Sequence, residues 1–319
     1  MKLFHETKIK LYSQKNLKIC VISDIHFSYR VRNKKLDALA KKLESRKPDY
    51  IFVPGDIVDS NNMIKKESEE KRLLAWLEKL GKIAPTILSE GNHDVYNKTT
   101  KAERKKTGNR WAIYQNPDFR KKVNKLENVS YLNNEVFEDE NIYVLGLTLS
   151  PKTYCLLKEE KKIKKASKTG EDIEEFLKTL AKIKKLIKNL PKDKMKFALI
   201  HTPASLSEKS IKSELSEFDF LVSGHMHNGL VTPLFFELWP SDRGIVNAAR
   251  KVGAKNTRLS KKTLKEGLII TGAVTTWHES VGTFHNLNLL YPSYFTTLEF
   301  KNEKSLKKSP KVTKRYLNY

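Results

Sequence analysis

Short apolar runs in this sequence repeatedly end on glycine, aspartate and histidine. Leu17 to Ser23 leads into Asp24-Ile25-His26, Tyr50 to Val53 into Pro54-Gly55-Asp56, and Thr86 to Ser89 into Gly91-Asn92-His93-Asp94. Later, Phe197 to Ile200 meets His201, and Asp219 to Ser223 meets Gly224-His225-Met226-His227. Runs of this length and composition read as strands ending in polar loops. Helical periodicities separate the first of them. Leu36, Leu39, Ala40 and Leu43 share a face within Asn33 to Ser45, and Leu73, Leu74, Leu77 and Leu80 share one within Lys65 to Leu80, which Gly81 is expected to cap. The pattern is β-α-β, and it repeats, which makes the chain α/β.

Further along, Val129 to Leu132, Glu135 to Glu138 and Ile142 to Leu149 read as strands, with Asn133-Asn134 as a hairpin signal between the first two. Glu171 to Leu190 carries Ile173, Phe176, Leu177, Leu180, Ile183, Ile187 and Leu190 on one stripe, has acidic residues in its first turn and lysines in its last, and stops before Pro191. That charge order suits the helix dipole and favours docking on a core over lying on a membrane. Leu268 to Val274 and Tyr294 to Phe300 supply late strands. Two stretches interrupt the alternation. Residues near 95–125 are polar and basic with some helix, and those near 228–267 are loop-rich and could roof a pocket; the basic 302–319 reads as a mobile tail.

Five of the eight histidines, His26, His93, His201, His225 and His227, follow directly on expected strands beside Asp, Gly or Asn. In Asp24-x-His26 and His225-x-His227 the i, i+2 spacing sends both side chains to one side of an extended backbone, so each pair can face one site. Either pair alone is more often a hydrogen-bonded loop or core histidine. Together with Asp56, Asn92 and His201 they form a mixed nitrogen and oxygen donor set suited to Mn²⁺, Fe or Zn²⁺, with no thiolate. Gly55, Gly91 and Gly224 each precede one of these positions, where a sharp turn or positive φ is easiest without Cβ.

The ordered blocks D-x-H, G-D, G-N-H-D, H and G-H-x-H resemble those of the calcineurin-like metallophosphoesterase superfamily over roughly Leu17 to Phe300. The resemblance implies one domain over residues 1–301, folded as a four-layer αββα sandwich of two facing mixed sheets flanked by helices. It implies two divalent cations, Mn²⁺ first among candidates. Asp24, His26 and His227 would hold the first, Asn92, His201 and His225 the second, and Asp56 would bridge them. His93 matches the superfamily's non-ligand histidine, an acid for the leaving alkoxide, with Asp94 orienting its ring. The implied activity is hydrolysis by metal-bound hydroxide. Val58-Asp59 is followed by Ser60-Asn61 rather than the R-G of protein Ser/Thr phosphatases, and the tyrosine of purple acid phosphatases is replaced by Asp59. The similarity is closer to small bacterial phosphodiesterases, including those acting on lipid-linked nucleotide pyrophosphates.

Lys+Arg 61 against Asp+Glu 37 leaves a net charge of +24, which fits a phosphate-ester substrate, nucleic acid or an anionic membrane surface, or simply a solvated lysine-rich exterior. A nuclease and a non-catalytic basic nucleic-acid-binding module are therefore the alternative readings. Arg30, Arg32, Arg110 and Trp111 are candidates for gripping a second phosphate or a base. With 319 residues, 39% of them hydrophobic, the chain can bury a large core without cross-links. Two cysteines, Cys20 and Cys155, form no disulfide framework. No stretch has the apolar length of a membrane span, and Met1 to Lys18 lacks a signal-peptide core. The expected location is cytoplasmic, with peripheral contact at the inner membrane face as the variant a lipid-linked substrate would require.

Overall fold

The computed structural model describes residues 4–13, 15–28, 31–58, 67–94, 117–148, 170–203, 213–225, 230–231, 237–239, 244–246, 267–275 and 293–302. Two six-stranded sheets organise them. The first has the order β1-β14-β2-β3-β4-β5, built from β1 (Phe4–Ser13), β2 (Leu17–Val21), β3 (Tyr50–Pro54), β4 (Thr86–Ser89), β5 (Val129–Leu132) and β14 (Ser293–Asn302). The second has the order β12-β13-β9-β8-β7-β6, from β6 (Glu135–Glu138), β7 (Ile142–Leu147), β8 (Met195–Ile200), β9 (Phe220–Ser223), β12 (Gly244–Val246) and β13 (Gly267–Ile270). Both are mixed: β14 runs antiparallel to β2, and β6 and β12 antiparallel to their neighbours, among otherwise parallel pairs. A separate pair, β10 (Leu230–Val231) and β11 (Glu237–Trp239), and the edge strand β12 fall in the stretch that the sequence marks as loop-rich.

Period-two alternation inside the apolar runs explains the layering. In β2, Ile19 and Val21 face the second sheet, while Cys20, and Ile22 just past the strand, face outward to the helices. In β8, Phe197 and Leu199 point between the sheets, and Ala198 and Ile200 point away from them. Strands apolar on both faces must be covered on both faces. Helices α1 (Asn33–Glu44) and α2 (Glu67–Ile83), with α3 (Pro117–Val123), cover the first sheet; α4 (Gly170–Ile187) covers the second through Leu180 and Ile183. Trp76 of α2 donates its indole N–H to Leu36 O of α1 at 3.0 Å, which ties the two helices together. The inner layer is centred on Phe197, whose ring lies 5.2 Å from Phe52, 5.5 Å from Phe220 and 5.8 Å from Phe300. The arrangement is the four-layer αββα sandwich.

Two local expectations change, and one strand is added to those read from the sequence. Asn133-Asn134 does not close a hairpin, because β5 pairs with β4 in the first sheet and β6 with β7 in the second. The turn is the crossing between sheets, held by Asn134 N to Gly146 O at 2.9 Å and Asn134 Nδ2 to Thr148 O at 2.9 Å. Gly81 does not end its helix: α2 continues to Ile83, and glycine is needed there because a Cβ would meet Glu127 O and stand 2.8 Å from Val129 Cγ2. Finally, Phe4–Ser13, whose alternating polar residues hide a strand signal, forms a ten-residue strand in parallel register with β14 from Phe4↔Ser293 to Ser13↔Asn302.

Candidate metal centre

The carboxyl ends of β2, β3 and β4 in one sheet and of β8 and β9 in the other meet at the same rim. Backbone hydrogen bonds lock the loops there: His26 N to Asp56 O at 3.0 Å, Phe27 N to Ile57 O at 2.8 Å, and Thr275 N to Asp24 O at 3.0 Å. Ser23 adds its hydroxyl to Pro54 O at 3.1 Å and Gly55 O at 3.2 Å. Gly224 lies against Ser23, where a Cβ would also stand 2.7 Å from Asp24 Oδ2.

Positive φ falls on the functional residues themselves. Asp24 (52°), His26 (44°), Asp56 (53°) and His225 (70°) all sit in the left-handed region, whereas of the three glycines singled out from sequence only Gly55 (83°) does. Each costs about 1–2 kcal/mol for a residue with a Cβ. The loop hydrogen bonds hold that strain in place, and it turns the side chains inward from the strand ends.

Asp56 is the hub. Its Oδ2 lies 3.0 Å from His201 Nε2 and 3.6 Å from His26 Nε2, while its Oδ1 accepts the His93 backbone N–H at 2.9 Å. His26 Nε2 is also 3.8 Å from Asp24 Oδ1, and Asp24 accepts the backbone N–H of His225 at 3.0 Å. His225 Nδ1 stands 3.2 Å from His201 Nε2. Two sets of ligand atoms result, His26, Asp56 and His93 on one side and Asp56, His201 and His225 on the other, each within 4.8 Å, and Asp56 belongs to both. Asp24, His26, Asp56 and His201 are buried; His93 and His225 are half-buried. His227, Arg30, Asp59, Arg110 and Trp111 lie outside the described residues, and Arg32 is exposed at the start of α1.

His201 Nδ1 lies 2.9 Å from Pro54 O, and since a carbonyl only accepts, that nitrogen carries the proton and Nε2 is the one turned toward Asp56. No sequence signal marks this backbone partner. Burial lowers the His201 pKa, but the charge and hydrogen bond of Asp56, helped by Asp24 and Pro54 O, outweigh it and raise it to about 9. Burial alone would push Asp56 up. The charge on His201 and His93, the His201 hydrogen bond and the charge on His26 together hold it well below the usual carboxylate range. Anionic oxygen enclosed by imidazoles is the electrostatic setting of a cation site.

A divalent metal suits these donors. Beyond the mixed nitrogen and oxygen set, Asn92 Oδ1 is buried and accepts no hydrogen bond among the described residues. A buried amide oxygen left in that state costs about 1–3 kcal/mol unless a cation or water takes it.

Asp94 departs from its expected role. Its carboxylate is taken up by backbone amides, Oδ1 by Ile57 and Val58 at 2.9 Å each and Oδ2 by Gly91 at 2.8 Å, rather than by the His93 ring. Burial, and then the charge of Asp56, raise its pKa to about 7. The His93 ring instead meets the His26 ring edge-on, centroids 4.7 Å apart.

A profile described as calcineurin-like phosphoesterase matches residues 17–229. The chain belongs to that family. It is 25% identical over 242 residues to an uncharacterized metallophosphoesterase of Campylobacter jejuni, covering 76% of this chain and 52% of that protein, so it spans about half the length of this curated relative. Among solved structures, a dimetal phosphatase of Danio rerio is 10% identical at a TM-score of 0.40, covering 81% of this chain and 87% of the other. GAP50, the anchor in the inner membrane complex of Plasmodium, is 14% identical at a TM-score of 0.35, covering 76% of each. Calcineurin-like phosphoesterases use a dinuclear metal centre, and the paired clusters around Asp56 are this chain's candidate for it. No helix among the described residues is long and apolar enough to cross a membrane.

Proposed function

We propose that this calcineurin-like phosphoesterase is a two-metal hydrolase acting on a phosphodiester or pyrophosphate bond of a small or lipid-linked substrate. The observation that carries the reading is the position of the Asp56 carboxylate, with Oδ2 3.6 Å from His26 and 3.0 Å from His201, one histidine from each side of the site. Asp24, His26 and His227 would hold one cation and Asn92, His201 and His225 the other, with Asp56 shared. Bound divalent cations supply Lewis acidity, lowering the pKa of a shared water and offsetting the charge that builds on the transferring phosphoryl group. Asp24 has a second task, because its carboxylate also receives the His225 amide and so keeps the two halves of the site at a set distance.

His93 would deliver a proton to the leaving alkoxide. It is half-buried beside His26, with its backbone N–H tied to Asp56, which fits a group at the edge of the centre facing substrate. A second reading, a nuclease, draws on the net charge of +24.

The decisive assay is a panel with Mn²⁺ that includes monoesters, linear and cyclic diesters and nucleotide pyrophosphates. Turnover of diesters or pyrophosphates that is abolished in Asp56→Ala supports the proposal. Turnover confined to monoesters overturns the diester assignment, and no metal-dependent turnover of any member overturns the hydrolase itself. Cleavage of nucleic acid, with affinity falling steeply as salt rises, would move the assignment to the nuclease.

A further inference from the structure

Two loops carry the hub of the centre, and each places its aspartate on the backbone of the other. Asp56, on the loop after β3, accepts the N–H of His93 on the loop after β4 at 2.9 Å. Asp94, on that second loop, accepts the N–H groups of Ile57 and Val58, which directly follow Asp56, at 2.9 Å each. Its other oxygen accepts Gly91 N–H at 2.8 Å from within its own loop, and Asp94 N returns to Gly91 O at 3.2 Å. Asp94 is 6% exposed, so no solvent competes for these bonds.

We infer that Asp94 is a positioning residue, a buried staple that sets the spacing between the shared carboxylate of Asp56 and the Asn92-His93 pair; this rests on the metal-centre reading above. The division of labour between the two aspartates follows from their oxygens. Asp56 gives one oxygen to an amide and turns the other toward His26 and His201, whereas both oxygens of Asp94 are on amides. Three N–H groups depend on Asp94, those of Ile57 and Gly91 buried and that of Val58 half-buried, and without it the backbone on both sides of the hub must move to find other acceptors. The loops are packed too closely to absorb such movement. A Cβ on Gly91 would stand 2.9 Å from Asp56 Cγ, and one on Gly55 2.7 Å from Gly91 N. A small slip of one loop against the other therefore alters the distance between Asp56 and Asn92, and with it the affinity for cations.

Asparagine keeps one carbonyl oxygen for Ile57 and Val58 but turns an NH₂ on the Gly91 N–H; alanine removes all three acceptors. Mn²⁺ binding, measured by equilibrium dialysis on the full chain, should weaken about 10-fold in Asp94→Asn and about 100-fold in Asp94→Ala, the range expected when a group supporting metal ligands is lost. Leu39→Ala, a core truncation under α1, serves as the matched destabilised control and should lower Tm while binding Mn²⁺ as the wild type does. If Asp94→Ala does not fold, Asp94→Asn decides alone. Wild-type Mn²⁺ affinity in Asp94→Asn, with or without a lower Tm, overturns the positioning role. So does an equal loss of affinity in Leu39→Ala. A wild-type chain that binds no Mn²⁺ overturns the metal-centre reading, and this inference with it.

Discussion

His201, at the end of β8 in one sheet, places its Nε2 3.0 Å from Oδ2 of Asp56, at the end of β3 in the other, while its Nδ1 is held 2.9 Å from Pro54 O. The contact is a bridge between sheets whose partners are 145 residues apart in numbering, 201 against 56. A cation bound between them should stabilise the whole sandwich. At a free Mn²⁺ concentration of a hundred times Kd, binding contributes about 2.7 kcal/mol, or about 5 °C in Tm for a chain of this size. Differential scanning fluorimetry should show that rise on adding Mn²⁺ and its reversal by EDTA, with neither in Asp56→Ala. An unchanged wild-type Tm across the titration would rule out the cation as a strut between sheets.

Glycine at position 91 is required by Asp56. A Cβ there would overlap Oδ1 and stand 2.9 Å from Cγ, displacing the shared carboxylate. Gly91→Ala should reduce kcat/KM by about 100-fold or more, since misplacing a reactive group by about 1 Å has that order of effect. Gly81→Ala gives the contrast. It crowds Glu127 O and Val129 at the far end of α2, and should lower Tm while leaving kcat near the wild-type value. Normal kinetics in Gly91→Ala would count against tight packing of Gly91 on Asp56.

Phe197 anchors the layer between the sheets, fully buried among Phe52, Phe220 and Phe300. Truncation to alanine leaves a cavity that neither sheet can close, at a cost of about 3–5 kcal/mol. Urea denaturation should show a correspondingly lower midpoint with an unchanged slope. A loss below about 1 kcal/mol would mean that the inner layer repacks.

Glu6 on β1 supplies the pH-dependent prediction. Its carboxylate receives Arg46 Nε at 2.7 Å and Nη2 at 2.6 Å, and the Thr297 hydroxyl at 2.7 Å. Burial works to raise its pKa, but the hydrogen bonds of Arg46 and Thr297 and the charges of Arg46 and Lys8 prevail and bring it below its ordinary 4.5. A depressed carboxylate pKa contributes stability that is present above the unfolded value and is lost as pH falls through the folded one. Glu6→Gln should therefore cost about 1–2 kcal/mol near neutrality, and the gap to wild type should narrow below about pH 4.5. A gap that stays constant from pH 7 to pH 3 would show that shape, not charge, is what Glu6 contributes.

Much of the candidate site was legible because the chemistry proposed for it demands particular residue types at particular backbone positions. Asp24-x-His26, Gly55-Asp56 and Gly91-Asn92-His93-Asp94 each lie within a few residues, so their order and spacing survive in one dimension. β1 was not legible. The alternation of Phe4–Ser13 is masked by His5, Glu6 and Lys8, and its place depends on β14, nearly three hundred residues away, offering a free edge. The Asn133-Asn134 turn was misread for a related reason: two strands joined by a short turn normally pair, and only the stacking of one sheet over the other sends β5 and β6 apart.

Asp94 marks the line between the two kinds of information. Local pattern and covalent spacing carry the candidate donor set, the alternation of strands and helices, and the resemblance that orders them. Folding in three dimensions is what brings His201 to Asp56 across two sheets, puts positive φ on Asp24, His26, Asp56 and His225, and places backbone amides on both oxygens of Asp94. Those outcomes depend on which N–H groups and carbonyls folding buries together. Backbone amides are the same in every residue, so no residue type announces them.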